Sequence, residues 1–127
     1  MAEQRKSKKS ETVDWLREAL TLAKYFDYYG PLFDEHQRAV FEDYICNDMS
    51  LSEISEREGM TRQGVSDLVH RTSRKLHAYE ESLHLAERAE SAGTIIDTMR
   101  DRIGNGAFSE TDRKELNVLL NLLSEML

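Results

Sequence analysis

The sequence predicts an all-α fold with a helix-turn-helix at its centre, and three observations support this prediction. Apolar residues recur at steps of three and four over most of the chain, which is the pattern of amphipathic helices. The 127 residues include one proline and six glycines, so few positions favour loops. No stretch alternates apolar and polar residues in the way that a half-buried strand requires.

Two helices are predicted ahead of the central motif. The first extends from Thr12 to near Tyr29, where a Gly-Pro pair ends it. The second opens at Asp34, whose carboxylate can cap a helix, and Gln37 lies three residues later as its capping-box partner. Its apolar stripe consists of Val40, Phe41, Tyr44 and Ile45.

The segment from Leu51 to Arg71 has the features of a helix-turn-helix. Ser50 can cap a short third helix and Thr61 can cap a fourth. Gly59 lies where the turn needs a residue that tolerates positive φ. Apolar side chains must fill the angle between the two helices, and those at suitable spacings are Ile54, Met60, Val65 and Leu68.

The fourth helix is predicted to be long, because its apolar stripe continues through Tyr79 and Leu83 and extends to the region of Ala89. Gly93 is predicted to break it, and a fifth helix then runs to a Gly-Asn-Gly turn. Ser109 opens a sixth helix with leucines along one side. These boundaries divide the chain into a tail over residues 1–10, a helix-turn-helix domain over 11–89 and a helical extension over 90–127.

The tail is basic and is predicted to be disordered, since it has almost no apolar residues. Its cations could contact RNA or phosphate, or could only solvate the chain; they are Arg5, Lys6, Lys8 and Lys9.

No apolar signal core follows the basic tail, and no apolar run has the length of a membrane span. With a single cysteine, Cys46, the chain cannot form an internal disulfide. We therefore predict a cytoplasmic protein without membrane insertion.

Charge is distributed unevenly along the chain. The net charge is −7, but residues 61–79 carry four basic groups and one acidic group, Asp67. With Val65 and Leu68 inward, the outward face of the fourth helix can contact nucleic acid, as in DNA-binding relatives of this motif. The predicted contact residues are Arg62, Gln63, Ser66, His70, Arg71 and Arg74. The alternatives are a solvated face or a protein-interaction surface, which Asp67 favours.

A homodimer is also predicted, because the first and fourth helices have more apolar surface than a chain of this length readily buries. Aromatic residues on the first helix could instead belong to the core. The candidate interface residues are Trp15, Phe26, Tyr29, Tyr79 and Leu83.

No arrangement of residues points to catalysis, a cofactor or a metal ion. The chain has no glycine-rich phosphate loop and no nucleophile-elbow or His-Glu-x-x-His motif. His70, His77 and His84 recur every seven residues, too far apart for one ion. We therefore expect a protein that is not an enzyme and that has no cofactor and no metal site.

Several stretches of the chain resemble the YlxM family over about residues 22–85. They are Tyr25-Phe-Asp-Tyr-Tyr-Gly, Asp48-Met-Ser-Leu-Ser-Glu-Ile-Ser-Glu, Thr61-Arg-Gln-Gly-Val-Ser-Asp and Leu76-His-Ala-Tyr-Glu-Glu-Ser-Leu. The helix-turn-helix part alone is similar to sigma-factor region four, within the winged-helix-like DNA-binding superfamily but without a wing.

The resemblance implies a small bacterial protein whose gene lies beside those of the signal recognition particle and its receptor. It further implies an accessory or regulatory role in that protein-targeting pathway, through binding to the particle's RNA, its GTPase or the receptor. The helix-turn-helix by itself favours a different interpretation, in which the protein is a transcriptional regulator that binds duplex DNA.

Overall fold

A computed structural model describes residues 2–104 and 106–127, with side chains from Ser10 onward. The chain divides into two compact units, Met1–Leu83 and His84–Leu127. All regular elements among the described residues are helical, as the sequence predicts. None of these helices combines the length and the apolar composition needed to cross a lipid bilayer.

The first unit contains four α-helices and one short 3₁₀ turn, Gly30–Leu32, which follows the first helix. The helices are α1 (Ala2–Tyr29), α2 (Glu35–Ile45), α3 (Leu51–Glu58) and α4 (Arg62–Leu83). α1 begins at Ala2 rather than at the predicted Thr12, so its first residues include most of the tail that the sequence predicts to be disordered over residues 1–10. Met1 and the side chains of residues 2–9 lie outside the described residues, so the contact of the tail cations with RNA or phosphate stays a prediction.

The starts of α2 and α3 are fixed by side-chain caps at the predicted positions. The Asp34 carboxylate accepts a hydrogen bond of 2.8 Å from the backbone N–H of Gln37. The Ser50 hydroxyl accepts one of 3.1 Å from the backbone N–H of Glu53. Each cap satisfies a donor that the first turn of a helix leaves without a partner, so both predicted starts are confirmed. Gln37 does not complete the predicted capping box, because its side-chain amide donates to the Thr72 hydroxyl instead.

α4 is the central helix of the first unit, since α1, α2 and α3 all pack against it. The side chains between these helices form one apolar core: Leu22, Tyr29, Phe33, Val40, Phe41, Ile54, Val65, Leu68, Val69 and Leu76. Two hydrogen bonds cross this core. The Tyr29 hydroxyl donates to Glu80 at 2.6 Å, and the Gln37 side-chain amide donates to the Thr72 hydroxyl at 2.9 Å.

The second unit is a helical hairpin of α5 (Leu85–Gly104) and α6 (Glu110–Met126), which pack against each other. A capping box between Ser109 and Asp112 starts α6, as predicted. Arg102 and Glu115 form an ion pair of 3.1 Å between the two helices. Ala86 is the one buried residue of α5, and α6 has none.

The predicted end of α4 was wrong. The helix ends at Leu83, because His84 adopts the left-handed conformation with φ 55°. α5 starts at the next residue and includes Gly93, which does not break it, since a glycine inside a helix costs only about 1 kcal/mol. The apolar stripe continues across His84, so helical periodicity alone does not detect the break. The division between units therefore falls after Leu83 rather than after Ala89.

Candidate nucleic-acid interface

The turn between α3 and α4 positions the candidate interface. Gly59 adopts the left-handed conformation with φ 65° and ψ 30°, as the sequence predicts. The next residue, Met60, donates its backbone N–H to the Ser55 carbonyl at 3.0 Å, which closes the end of α3. Ile54 on α3 and Val65 on α4 are both fully buried. Their packing fixes how α4 leaves the turn and which of its faces remains open.

The open face of α4 contains the predicted contact residues. Arg62, Gln63, His70, Arg71 and Arg74 are exposed, and Ser66 is half-buried. A shallow depression beside this face is lined by Met60, Gly64, Asp67, His70, Arg71 and Arg74. The first unit therefore brings His70, Arg71 and Arg74 together beside one depression, while the other three predicted residues lie nearer the start of α4. Whether they bind nucleic acid stays a prediction.

Four cations on α4 have no acidic partner within the described residues. All four are exposed, and none of them takes part in an ion pair between described residues. They are Arg62, Arg71, Arg74 and Lys75. We call these four residues the basic face. Arg57 at the end of α3 differs, because it is paired with Asp43 and Glu58. The charge of the basic face is thus available to an anionic partner.

Asp67, the one acid in this segment, is engaged by a neighbouring amide. The Gln63 side-chain nitrogen donates to the Asp67 carboxylate at 2.9 Å. This bond orients the Gln63 amide, whose carbonyl oxygen and second N–H remain free to contact a partner. This pair was not predicted, although residues four apart on a helix are neighbours and the spacing could have revealed it.

His70 is oriented in a similar way. Its Nδ1 lies 2.8 Å from the Ser66 carbonyl oxygen. Only a protonated Nδ1 can donate to that oxygen, so a neutral His70 has Nε2 as an acceptor on its outer side. The basic face is therefore flanked by one oriented amide and one oriented imidazole.

Gly64 has an internal reason for its position in the first turn of α4. Its backbone N–H donates to the Thr61 hydroxyl at 3.0 Å, which caps the helix. A Cβ built on Gly64 would lie 3.0 Å from that hydroxyl oxygen, closer than most real Cβ contacts. These contacts within the chain are reason enough for a glycine in this turn.

Three of the five predicted dimer-interface residues take part in packing inside the protomer. Tyr29 is fully buried, and the Phe26 ring lies 5.1 Å from that of Phe41. The Tyr79 ring is 5.8 Å from the rings of both Tyr29 and Phe33. The prediction is therefore corrected for Tyr29 in full, because a buried ring presents no surface. Trp15 and Leu83 are exposed, as are three α1 residues that the prediction omitted: Val13, Leu16 and Leu20.

The histidines and the cysteine form no site in the described residues. No group of three or more His, Cys, Asp or Glu side chains there could hold a metal ion. His77 contacts Glu18 at 2.6 Å, whereas His84 contacts Glu87 at 3.1 Å. Partial burial, followed by the charges of Glu42 and Asp27, raises the pKa of the Cys46 thiol, which disfavours the reactive thiolate.

Together, the fold and the open face of α4 define a helix-turn-helix protein. Comparison with known proteins then gives the family. The chain belongs to the UPF0122 family, described as "Putative helix-turn-helix protein, YlxM / p13 like", whose pattern matches residues 16–116. The match includes α5 and the start of α6, so it extends beyond the resemblance seen in the sequence alone.

Individual relatives agree with this assignment. UPF0122 proteins of Thermoanaerobacter sp. strain X514 and of Halalkalibacterium halodurans are each 34% identical to this chain, over 107 and 111 residues. The alignments cover 84% and 87% of this chain, and 92% and 98% of those proteins. A UPF0122 protein of Clostridium perfringens strain 13 is 39% identical over 97 residues, which is 76% of this chain and 87% of that protein.

Proposed function

We propose that this protein is a cytoplasmic, non-enzymatic accessory or regulatory factor of the signal recognition particle pathway. Its helix-turn-helix would bind one of three components of that pathway: the particle's RNA, the particle's GTPase or the receptor. The pathway is what the YlxM resemblance implies. The observation that carries the binding mode is the basic face on α4, and this face favours the RNA among the three components.

Charge argues for one oriented contact with a polyanion. Arg62, Arg71, Arg74 and Lys75 extend over about four turns of one helix and have no described acidic partner. The remainder of the chain is acidic enough to give a net charge of −7, so phosphates are attracted to this face and repelled elsewhere. Binding through four cations would give a slope of log affinity against log salt of about −3 to −4.

A second candidate function is a DNA-binding transcriptional regulator, and one observation favours it. Arg62 and Gln63 are exposed at the start of α4, which is the end of a recognition helix that reaches base edges. The Asp67 carboxylate holds the Gln63 amide while leaving one acceptor and one donor, the pair that reads adenine in the major groove. This candidate requires a preferred duplex sequence.

Fluorescence anisotropy of the labelled protein separates these candidates. The titrants are the particle's RNA, its GTPase, the receptor and random duplex DNA, each at two salt concentrations. The proposal expects tight binding to the RNA, with weak and strongly salt-dependent binding to duplex DNA. Tight binding to the GTPase or receptor alone would keep the pathway and reject the RNA, whereas binding to duplex alone would favour the regulator.

Variants then test the face itself. The double variant Arg62→Ala/Arg71→Ala should reduce the salt slope by about 1 to 2 and lower the affinity for RNA. Arg38→Ala is the matched control, since Arg38 is exposed on α2 in a separate depression beside Glu35 and Glu42. Equal losses in both variants would indicate general charge attraction. No loss in the double variant would exclude the basic face for either candidate function.

A further inference from the structure

α6 has an apolar surface that the hairpin does not cover. Its apolar residues are Leu116, Val118, Leu119, Leu120, Leu122, Leu123 and Met126, and none of them is buried. The half-buried ones lie along the side that faces α5. Val118 and Leu122 are one turn apart on a neighbouring flank and are 59% and 44% exposed. A helix of this composition is stable in water only when its apolar stripe is packed.

Two charged residues, Lys114 and Glu125, lie on the same flank, and no contact within α6 accounts for them. Lys114 lies four residues before Val118 and Glu125 three residues after Leu122, so all four side chains share one face. Glu125 is in the last turn, where the helix dipole disfavours a carboxylate, and no basic residue accompanies it there. Within the described residues, neither Lys114 nor Glu125 forms an ion pair.

This face is complementary to itself when two copies run antiparallel. A two-fold axis at the level of Leu120 exchanges Val118 with Leu122, since each is two residues away. The same axis brings Lys114, six residues before, to within one residue of Glu125, five residues after. Apolar side chains would then meet at the centre and opposite charges at both ends, which is the pattern of an isologous contact.

We propose that the flank of α6 formed by Lys114, Val118, Leu122 and Glu125 binds the same flank of a second copy of this chain. The two hairpins would then form an antiparallel four-helix arrangement, in which each copy covers the exposed apolar residues of the other. This proposal does not depend on nucleic-acid binding, and it moves the dimer contact away from the aromatic residues of α1 and α4.

Sedimentation of the full chain without nucleic acid tests the contact. The wild-type protein should be a dimer at micromolar concentration. Leu122→Glu should raise the dimer dissociation constant by at least about tenfold, because it places two carboxylates in the apolar centre. Leu120→Glu is the matched control, since Leu120 is 49% exposed on the opposite flank of the same helix, and it should leave the dimer intact.

Exchanging the charges of Lys114 and Glu125 distinguishes a lost contact from a variant that fails to fold, because the double variant should dimerise again. Lys114→Glu and Glu125→Lys should each weaken the dimer about three- to tenfold, while the double variant should restore it to within about twofold of wild type. Circular dichroism checks that helix content is unchanged. Leu20→Glu tests the exposed apolar face of α1 in the same assay. The proposal would be overturned by a monomeric wild type or by a double variant weaker than either single one. It would also be overturned if Leu120→Glu or Leu20→Glu abolished the dimer while Leu122→Glu did not.

Discussion

The two units of this chain contain helices of similar length whose burial is very different. α4 has 22 residues and buries six of them, whereas α6 has 17 residues and buries none. α4 packs against three other helices, while within its unit α6 has only α5. The first unit can therefore be stabilised by its core, but the hairpin must depend on its caps and turns and on surfaces that it does not itself provide.

The contrast in burial should appear most strongly in a matched pair of leucines. Leu76→Ala removes a fully buried side chain of α4, and it should lower the free energy of unfolding by about 2–5 kcal/mol through lost burial and a residual cavity. Leu120→Ala makes the same change at a position in α6 that is 49% exposed, and its effect should stay within about 0.5 kcal/mol. Urea denaturation followed by circular dichroism measures both.

Similar losses in the two leucine variants would mean that α6 is packed as tightly as α4. Leu120→Ala then could not serve as a surface reference, and burial would not distinguish the two units.

A pair of glycines should show effects of opposite sign in the two units. Gly59→Ala places a Cβ at φ 65°, and it should destabilise the first unit by about 1–2 kcal/mol. Gly93 lies inside α5 with open space where a Cβ would be. Gly93→Ala should therefore stabilise that helix by about 0.5–1 kcal/mol.

Thermal unfolding of the two glycine variants is the measurement, with wild type as the reference. No clash confuses the comparison, since nothing lies within 4 Å of the Cβ position at either glycine. A destabilised Gly93→Ala protein would contradict the placement of that residue inside a regular helix.

The features that could be predicted from the sequence are those that depend on local chemistry. The caps at Asp34, Ser50 and Ser109 are specified by a polar side chain that accepts from the backbone N–H three residues later. The turn at Gly59 is specified by the one residue type without a Cβ. Helical periodicity also predicted which side chains of α4 are exposed, once Val65 and Leu68 were placed inward.

The features that could not be predicted depend on contacts between distant residues or on an unmarked backbone conformation. Tyr29 lies on an apolar stripe that suits either a core or an interface, and its partner Glu80 is 51 residues away. His84 ends α4 in the left-handed conformation, which a histidine in the sequence does not predict. Periodicity continues across that residue, which explains why the unit boundary was placed too late.

The smallest expected effect concerns the cap of α6 and its pH dependence. Hydrogen bonds from the backbone N–H and the hydroxyl of Ser109 lower the pKa of the Asp112 carboxyl below its ordinary value of 3.8. A carboxyl whose pKa is lowered on folding contributes stability above its unfolded-state pKa, and this contribution is lost as pH falls through the folded-state value. The first turn of α6 should therefore fray below about pH 4.

NMR of the full chain can follow this loss, through the Asp112 carboxyl shift and the amides of the first turn of α6. Asp112→Asn should give an α6 whose first turn no longer changes over that pH range. α3 is the internal reference, because it also starts at a capping serine but is held by the fully buried Ile54. If α3 frayed together with α6 on acidification, packing would not be what distinguishes the two units. Fraying of α6 alone would mean that burial causes the difference in stability between the two helix starts, because both have a serine cap and only α3 packs against a core.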